Sequence, residues 1–344
     1  MAKDTFRIFS GGPFRKFSCR SADELLDLIS LRGPIFGHYA HDDWIFRGEA
    51  DFRRPLPPSA FRPGVTLFDG RSWRALSRRD KDEILTSDQL RCEFHTLRML
   101  FYEADQRGLP LPEDSQKLRA LLNQLTELAP AGMKGSVRIE EPDWPPSELR
   151  SLMALGQHYG LPTRLIDWSW NPLMAAYFAA EGASKAVQNF PGRRRGTRSA
   201  THMRIWALSK EELSFEGATF WEVKTDTIEI ITAPAATNAN LAAQRGLFTV
   251  VRRVLPEEYL RREPMDTTIM RRMTHVFGQG GGPEHAIIAQ FLLPVKEAPT
   301  LLTLLARENV SAADAFPGYA GVVQSLKERR SWVDFKKRGR QRSR

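Results

Sequence analysis

The sequence predicts an α+β fold in which helices come first and strands come later. Residues 79–106 carry apolar side chains at helical spacing, and four apolar or β-branched runs follow residue 202. No apolar run approaches the roughly 20 residues that a membrane-spanning helix needs, so no membrane contact is expected. No internal repeat or sharp boundary divides the chain, and its length allows one large domain or two.

The first 128 residues are predicted to hold an irregular start, three helices and one short strand. Ser21 and Glu24 form a capping-box pattern ahead of leucines at helical spacing, so a helix begins there. Four prolines fix a loop after the strand, because proline cannot lie inside a helix. The predicted segments are irregular 1–20, a helix from 21, a strand at 44–46 that ends at 47–49, a loop over 53–70, and helices over 79–106 and 115–128.

The remainder of the chain is predicted to be richer in strands. Residues 130–146 are expected to form a linker or lid, because glycine and proline are frequent there. The run that begins at Asn171 and Pro172 is apolar on nearly every face, which predicts a buried helix. The other predicted segments are a helix over 147–157, strands over 163–166, 203–208, 228–232, 247–252 and 285–293, and a helix over 301–306.

The positive charge lies in two appendages. The chain has 50 Lys and Arg against 41 Asp and Glu, which gives a formal charge of +9. Lys336–Arg344 and Arg193–Arg198 supply ten cations and no acid, so the other residues sum to −1. We predict a basic loop over 191–202 and a disordered basic tail over 331–344. The Lys336–Arg344 segment would attract nucleic acid of any sequence by counterion release, and the alternative is a solvated end that aids solubility.

Several classes of site are not expected. The cysteines, Cys19 and Cys92, are too few for a disulfide framework and are expected to be buried, reduced and inert. No Cys-x-x-Cys or His-Glu-x-x-His pattern occurs, so no metal site is expected. No phosphate-binding glycine loop is present either. Met1–Thr5 does not begin a signal peptide, and the compartment prediction is therefore cytoplasmic.

The segment Trp44–Asp51 is the first candidate for function. Arg47 follows an apolar run and precedes Gly48, so its guanidinium can point into a cleft while the backbone turns. A guanidinium in that position can bind a phosphate or a carboxylate through two parallel hydrogen bonds. The alternative is a structural ion pair between Arg47 and either Glu49 or Asp51.

The second candidate segment lies between two helices, over residues 155–172. Arg164 and Asp167 are expected to pair with each other, and Ser169 and Asn171 are natural caps for the helix that follows. A functional site and a buried polar hinge remain equally open on residue chemistry alone. Six polar or aromatic side chains fall within twelve residues, namely His158, Tyr159, Arg164, Asp167, Trp168 and Ser169.

These segments resemble the FRG-domain family, which is named for a Phe-Arg-Gly motif. The motif stands here as Phe46–Gly48, and the family's long second motif is nearly complete at Gln157–Ala179. Ala243–Phe248 and Ala315–Gly321 are similar to two further steps of the family pattern. The resemblance extends from about Ser21 to Lys327 and implies a single FRG-type domain over residues 21–330.

The motif layout is in turn similar to that of ADP-ribosyltransferases of the Arg–Ser–Glu type, which implies a strand-rich core like theirs and NAD as a substrate. Arg47 would hold an NAD phosphate or ribose, and Ser169 would orient the nicotinamide ribose. The third position holds Gln244 instead of glutamate. Because a carboxylate stabilises the oxocarbenium-like transition state, this departure weakens the catalytic interpretation. Glu229 or Glu284 could supply the carboxylate instead.

The resemblance thus implies a catalytic set of Arg47, Ser169 and Gln244. Three functions stay open. The first is an NAD-using, ADP-ribosyltransferase-like enzyme, such as a toxin or phage-defence effector with an unidentified acceptor. The second is a non-catalytic module that binds a nucleotide in the cleft or a nucleic acid, and the third is a buried salt-bridge network without a ligand. The residues implied to contact the nucleotide are Arg47, Gly48, His158, Tyr159, Arg164 and Asp167.

Overall fold

The α+β class is confirmed by a computed structural model, in which helices pack on a large mixed sheet. Residues 130–143 of the linker or lid predicted over 130–146, residues 191–199 of the basic loop predicted over 191–202, and the whole tail 331–344 lie outside the residues that the structure describes. Those described residues are 7–9, 14–37, 43–75 except Pro57 and Pro63, 86–124, 144–188, 200–210, 227–233, 238–252 and 288–329.

In the described part of the chain, ten strands form one eight-stranded sheet and one hairpin. The order in the large sheet is 1-2-10-7-3-6-9-8, and strands 2 and 10 pair in parallel while the other neighbours are antiparallel. The hairpin joins strands 4 and 5. In chain order the strands are β1 (Arg7–Phe9), β2 (Phe14–Ser18), β3 (Trp44–Glu49), β4 (Thr66–Phe68), β5 (Trp73–Ala75), β6 (Ile166–Ser169), β7 (His202–Ser209), β8 (Thr227–Ile231), β9 (Gly246–Arg252) and β10 (Ile288–Pro294).

Helices from both halves of the chain cover this sheet. Ser21 caps the first of them, since its Oγ accepts the Glu24 amide at 3.2 Å, as the capping pattern predicts. The described helices are α1 (Ala22–Ile29), α2 (Thr86–Asp105), α3 (Gln116–Gln124), α4 (Ser147–His158), α5 (Pro172–Gln188), α6 (Ala239–Ala243), α7 (Ala298–Arg307), α8 (Ala312–Ala315) and α9 (319–329).

Two layers of helices pack on the same face of the sheet. α1, α5 and α7 form one layer, and α2, α3 and α4 form the other. Phe46 pairs with Ser169 and Asp167 pairs with Phe248, so these side chains share one face. Phe46 belongs to a core with α1, α5 and α7, whereas Phe248 belongs to a second core with α2, α3 and α4. The site described below therefore lies where the two layers meet. A third apolar cluster, which includes Ile45 and Trp206, covers the opposite face.

The predicted order of helices first and strands later is wrong. β2 lies inside the segment 1–20 that was predicted to be irregular, and it pairs in parallel with β10. β3 and β6 also enter the large sheet from the N-terminal half. Local sequence could not reveal the β2–β10 pairing, because its partner is about 270 residues away.

The strand predicted to end after Phe46 continues through Glu49, where it pairs with β7. The absence of a side chain at Gly48 permits this course. A Cβ at that position would lie 2.7 Å from the Ala179 amide nitrogen and closer still to the Ala175 carbonyl oxygen. α5 can therefore pack directly against the strand, and the expected sharp turn at Gly48 does not occur.

The strand predicted over 163–166 lies instead at 166–169. Thr163 is bound elsewhere, because its carbonyl accepts the Ala60 amide at 2.9 Å and its amide donates to Ser59 Oγ at 2.9 Å. These two hydrogen bonds hold Thr163 against the loop that contains Ser59 and Ala60, so the strand begins only at Ile166. The other predicted helices and strands are confirmed, with ends shifted by a few residues or lying outside the described part.

Both cysteines are buried, and burial raises the pKa of Cys19 to about 12, so this thiol stays protonated. In the described part of the chain, the helices are all too short or too polar to cross a bilayer.

Candidate functional site

A cavity of about 380 Å³ opens between β3 and β6. Along these two described strands the ladder holds a single pair, Phe46 with Ser169, and the strands then separate. The ends of α4 and α6, one side of α5 and the segment after α8 close the gap. The residues that line the cavity include Arg47, Gly48, Gln157, His158, Asp167, Ser169, Phe178, Leu241, Gln244, Phe248 and Phe316.

Arg47 bridges the separated strands. Its Nη1 donates to the Asp167 carbonyl oxygen at 2.9 Å, and its Nε donates to Glu49 Oε1 at 3.0 Å. The guanidinium thus takes the place of a main-chain bond that the separated strands cannot make. Burial opposes its charge, yet Glu49 and Asp167 outweigh burial and hold the pKa of Arg47 above its ordinary value. Arg47 therefore stays cationic, and its side chain is 16% exposed.

Asp167 presents a carboxylate at the cavity. One oxygen accepts a hydrogen bond from Gln157 Nε2 at 2.8 Å, and the other lies 3.4 Å from Arg47 Nη1. The side chain is 58% exposed, so the carboxylate keeps room for a further donor or a cation. The expected pair between Asp167 and Arg164 is wrong, because Asp167 is bound to Arg47 and Gln157.

Arg164 lies away from the cavity in a buried ion pair. Its Nε is 2.6 Å from Glu93 Oε2, and each side chain is 2% exposed. The indole of Trp144 and the amide of Gln89 also donate to the Glu93 carboxylate, at 2.7 Å and 2.6 Å. The pair joins the loop before β6 to α2. The structure therefore does not bring Arg164 into the predicted nucleotide site.

Ser169 and Gln244 both line the cavity, but their polar atoms connect neighbouring elements. Ser169 Oγ donates to the Gln244 carbonyl at 2.7 Å and accepts the Asn171 amide at 2.9 Å. The Gln244 Nε2 donates to the Ala315 carbonyl at 3.0 Å. These bonds tie β6, α6 and α8 together around the cavity. In the described structure, the polar side-chain atoms of these two members of the predicted three-residue catalytic set thus hold neighbouring elements in position.

His158 and Tyr159 separate, although they are adjacent in sequence. His158 lines the cavity, where its Nε2 lies 3.2 Å from Asn240 Nδ2. Burial lowers the pKa of His158 and the Asp167 charge only partly opposes this, so the ring is neutral at pH 7. Tyr159 is 76% exposed and lines a neighbouring groove instead. It is therefore not part of the cavity.

Of the two alternative carboxylates, the structure describes Glu229 only, and Glu229 does not line the cavity. Glu229 forms an ion pair with Arg150 at 2.6 Å and is absent from the described lining. Glu284 lies outside the described residues. No group of three metal-binding side chains occurs in the described ranges. Asp167 is thus the carboxylate that the described structure offers to a ligand here.

Sequence reasoning missed most of the apolar wall. Phe178, Leu241, Phe248 and Phe316 line the cavity, and each was treated as core or left without a role. Three of these residues stand in the quoted family motifs and could have been found there. Leu241 carried no such signal, because only the fold of α6 brings it to the cavity.

The fold and the site define an α+β domain with a partly apolar cavity between two helical layers. Residues 42–188 match the family model for the FRG domain. This match includes β3, α4, β6 and α5, whereas Gln244 and Phe316 lie beyond it. Neither the curated proteins nor the solved structures yielded a match. None of these comparisons names an ADP-ribosyltransferase.

Proposed function

We propose that the cavity binds the nicotinamide riboside end of NAD and that the chain is a nucleotide-binding protein. The observation that carries the proposal is the convergence of an exposed carboxylate, a neutral histidine and an aromatic wall on one cavity. Sites for small ligands combine an apolar lining with a few placed polar groups in this way.

The size of the cavity favours part of a dinucleotide. Ligand sites commonly enclose ~300–1,000 Å³, so about 380 Å³ lies at the lower end. One nucleoside unit is a better fit to that volume than two nucleosides and a pyrophosphate. The remainder of NAD would lie outside, toward solvent.

The charge of the described lining selects which end enters. Its charged side chains are Arg47 and Asp167, and Arg47 is already bound to Glu49. The carboxylates of Asp167 and Glu49 together outweigh the charge of one guanidinium, so the net charge here is negative and entry of a phosphate is unfavourable. The nicotinamide ring of NAD carries a positive charge, which Asp167 would attract and the rings of Phe178 and Phe316 would accommodate.

The test is calorimetric titration of the purified protein with NAD, nicotinamide riboside and ADP-ribose. We expect the two ligands that carry the charged ring to bind, and ADP-ribose to bind at least tenfold more weakly. Asp167→Asn keeps the acceptor for Gln157 but removes the charge, so it should weaken NAD binding about fivefold, or ~1 kcal/mol. The matched control is Glu103→Gln, which changes an exposed acid on α2. Equal binding of ADP-ribose and NAD, or no binding of NAD, would overturn the proposal.

A second candidate is ADP-ribosyl transfer from NAD, as in a toxin or defence effector. The exposed Asp167 carboxylate favours it, because such a group can stabilise an oxocarbenium-like transition state in place of the missing glutamate. The measurement is nicotinamide release at saturating NAD, with and without cell lysate as a source of acceptor. A catalytic Asp167 predicts a loss of about 10²–10³-fold in Asp167→Asn. If the wild-type protein binds NAD and releases no nicotinamide, the binding function alone stands.

A further inference from the structure

Tyr159 is exposed, although it lies within the segment that matches the FRG domain. Its side chain is 76% exposed, and the cavity does not use it. An exposed aromatic ring adds little to a hydrophobic core, so core packing does not explain this residue.

Tyr159 lines a second groove, which we call the aromatic groove, with a volume of about 520 Å³. The β4–β5 hairpin forms one wall, Leu100 of α2 contributes to another, and the end of α4 completes it. Trp73 of β5 lines the same groove and is 54% exposed. The described lining carries no charged side chain. The groove thus offers two exposed rings between uncharged walls.

The turn of the β4–β5 hairpin is basic. Arg71 is exposed two residues before Trp73, and Arg91 of α2 donates to the Asp69 carbonyl in this turn at 3.1 Å. His95 packs against the turn, and burial together with Arg98 and Arg91 lowers its pKa. Arg91 and Arg98 thus both act electrostatically on the ring beside this turn.

The carboxylate in this turn is directed inward. Asp69 accepts the amides of Arg71 and Ser72 at 2.9 Å and 2.8 Å, and it is 7% exposed. Arg62 adds an exposed cation just before Gly64, which lines the groove. The surface beside the two rings therefore presents cations to solvent, while its acid is turned away.

We propose that the aromatic groove binds a single-stranded nucleic acid. Its bases would stack on Trp73 and Tyr159, and its phosphates would follow the cations of the hairpin turn. Proteins that bind single strands without sequence preference combine these two elements. A duplex is a poorer fit, because its bases already stack on one another and cannot cover exposed rings.

The charge pattern favours this ligand over an acidic peptide. Peptide carboxylates could pair with the arginines, but they would leave the two rings in the uncharged groove unused. A nucleic acid engages both features, since each nucleotide carries a flat base and a phosphate. The site is separate from the cavity beside Asp167 and does not depend on NAD binding.

The test measures the binding of the full chain to a fluorescein-labelled 12-nucleotide oligodeoxythymidylate by anisotropy. We expect Trp73→Ala and Tyr159→Ala each to weaken binding about fivefold or more, as the loss of a stacked base implies. Trp73→Phe and Tyr159→Phe keep an aromatic ring and should retain most of the affinity. The matched control is Tyr319→Ala, because Tyr319 is 92% exposed and lies outside the groove.

The basic tail is the same in all of these variants, so any affinity that it supplies cancels in the comparison. Thermal melting establishes that each variant is folded, which the exposure of both rings leads us to expect. Affinity unchanged in both alanine variants would overturn the proposal. So would equal loss in Tyr319→Ala, undiminished binding to the duplex of the same sequence, or preference for an acidic tyrosine-containing peptide over the oligonucleotide.

Discussion

Replacing Arg164 with methionine is expected to destabilise the protein by about 3–5 kcal/mol. The guanidinium lies 2.6 Å from one Glu93 oxygen and 3.1 Å from the other, and both side chains are 2% exposed. Methionine fills much of the same space but leaves the Glu93 carboxylate buried without its countercharge. The loss is large beside the ~5–15 kcal/mol that usually separates folded from unfolded protein.

The assay is urea denaturation followed by tryptophan fluorescence, with the free energy of unfolding extrapolated to water. A double-mutant cycle adds Glu93→Met and the combined variant. Because Trp144 and Gln89 also donate to Glu93, the double variant should recover only part of the loss, with a coupling of roughly 0.5–3 kcal/mol. A loss below about 1 kcal/mol for Arg164→Met, or a folded variant that no longer binds NAD, would refute the structural role of Arg164.

Three further predictions concern Gly48, Glu328 and Ser169. Gly48→Ala should cost ~3 kcal/mol in urea denaturation, because its methyl group would meet the Ala175 backbone; a change below 1 kcal/mol would contradict this. Burial raises the pKa of Glu328, so stability should rise as pH falls from 7 toward 4.5; in Glu328→Gln, which still accepts from Tyr177, this rise in melting temperature should disappear, and an unchanged profile would count against it. Ser169→Ala removes two hydrogen bonds and should cost ~2 kcal/mol, while a tenfold loss of NAD affinity with unchanged stability would instead indicate direct ligand contact.

The sequence predicts elements well where one buried face repeats along a helix. Phe94, Leu97 and Phe101 are all buried in the core that α2 forms, as their spacing indicates. β6 illustrates the opposite case. Asp167 and Ser169 lie on the face that lines the cavity, so the strand does not read as an apolar run. The polar residues of the site thus interrupt the apolar pattern by which this strand could have been predicted.

The partners of charged groups were harder to predict than the groups themselves. Arg47, Arg164 and Asp167 were all singled out, yet the sequence paired Arg164 with Asp167, its near neighbour. The structure pairs Arg164 with Glu93, which is 71 residues away, and Asp167 with Arg47, which is 120 residues away. Spacing along the chain limits such choices within a helix but not between elements that meet only in the folded sheet.

The segment around Gly160 contains, within a few residues, side chains that stabilise the fold and side chains that face two separate ligand sites. Gly160 has φ of +90°, a conformation that glycine adopts without strain, and it ends α4 with its amide bound to Gln157. Just before this turn, His158 faces the cavity and Tyr159 faces the aromatic groove. Just after it, Arg164 is locked to α2. A substitution at Arg164 therefore tests the stability of the fold, whereas substitutions at Asp167 and Tyr159 test the cavity and the aromatic groove separately. If Asp167→Asn weakens NAD binding but not oligonucleotide binding, and Tyr159→Ala weakens oligonucleotide binding but not NAD binding, the chain holds two separate sites.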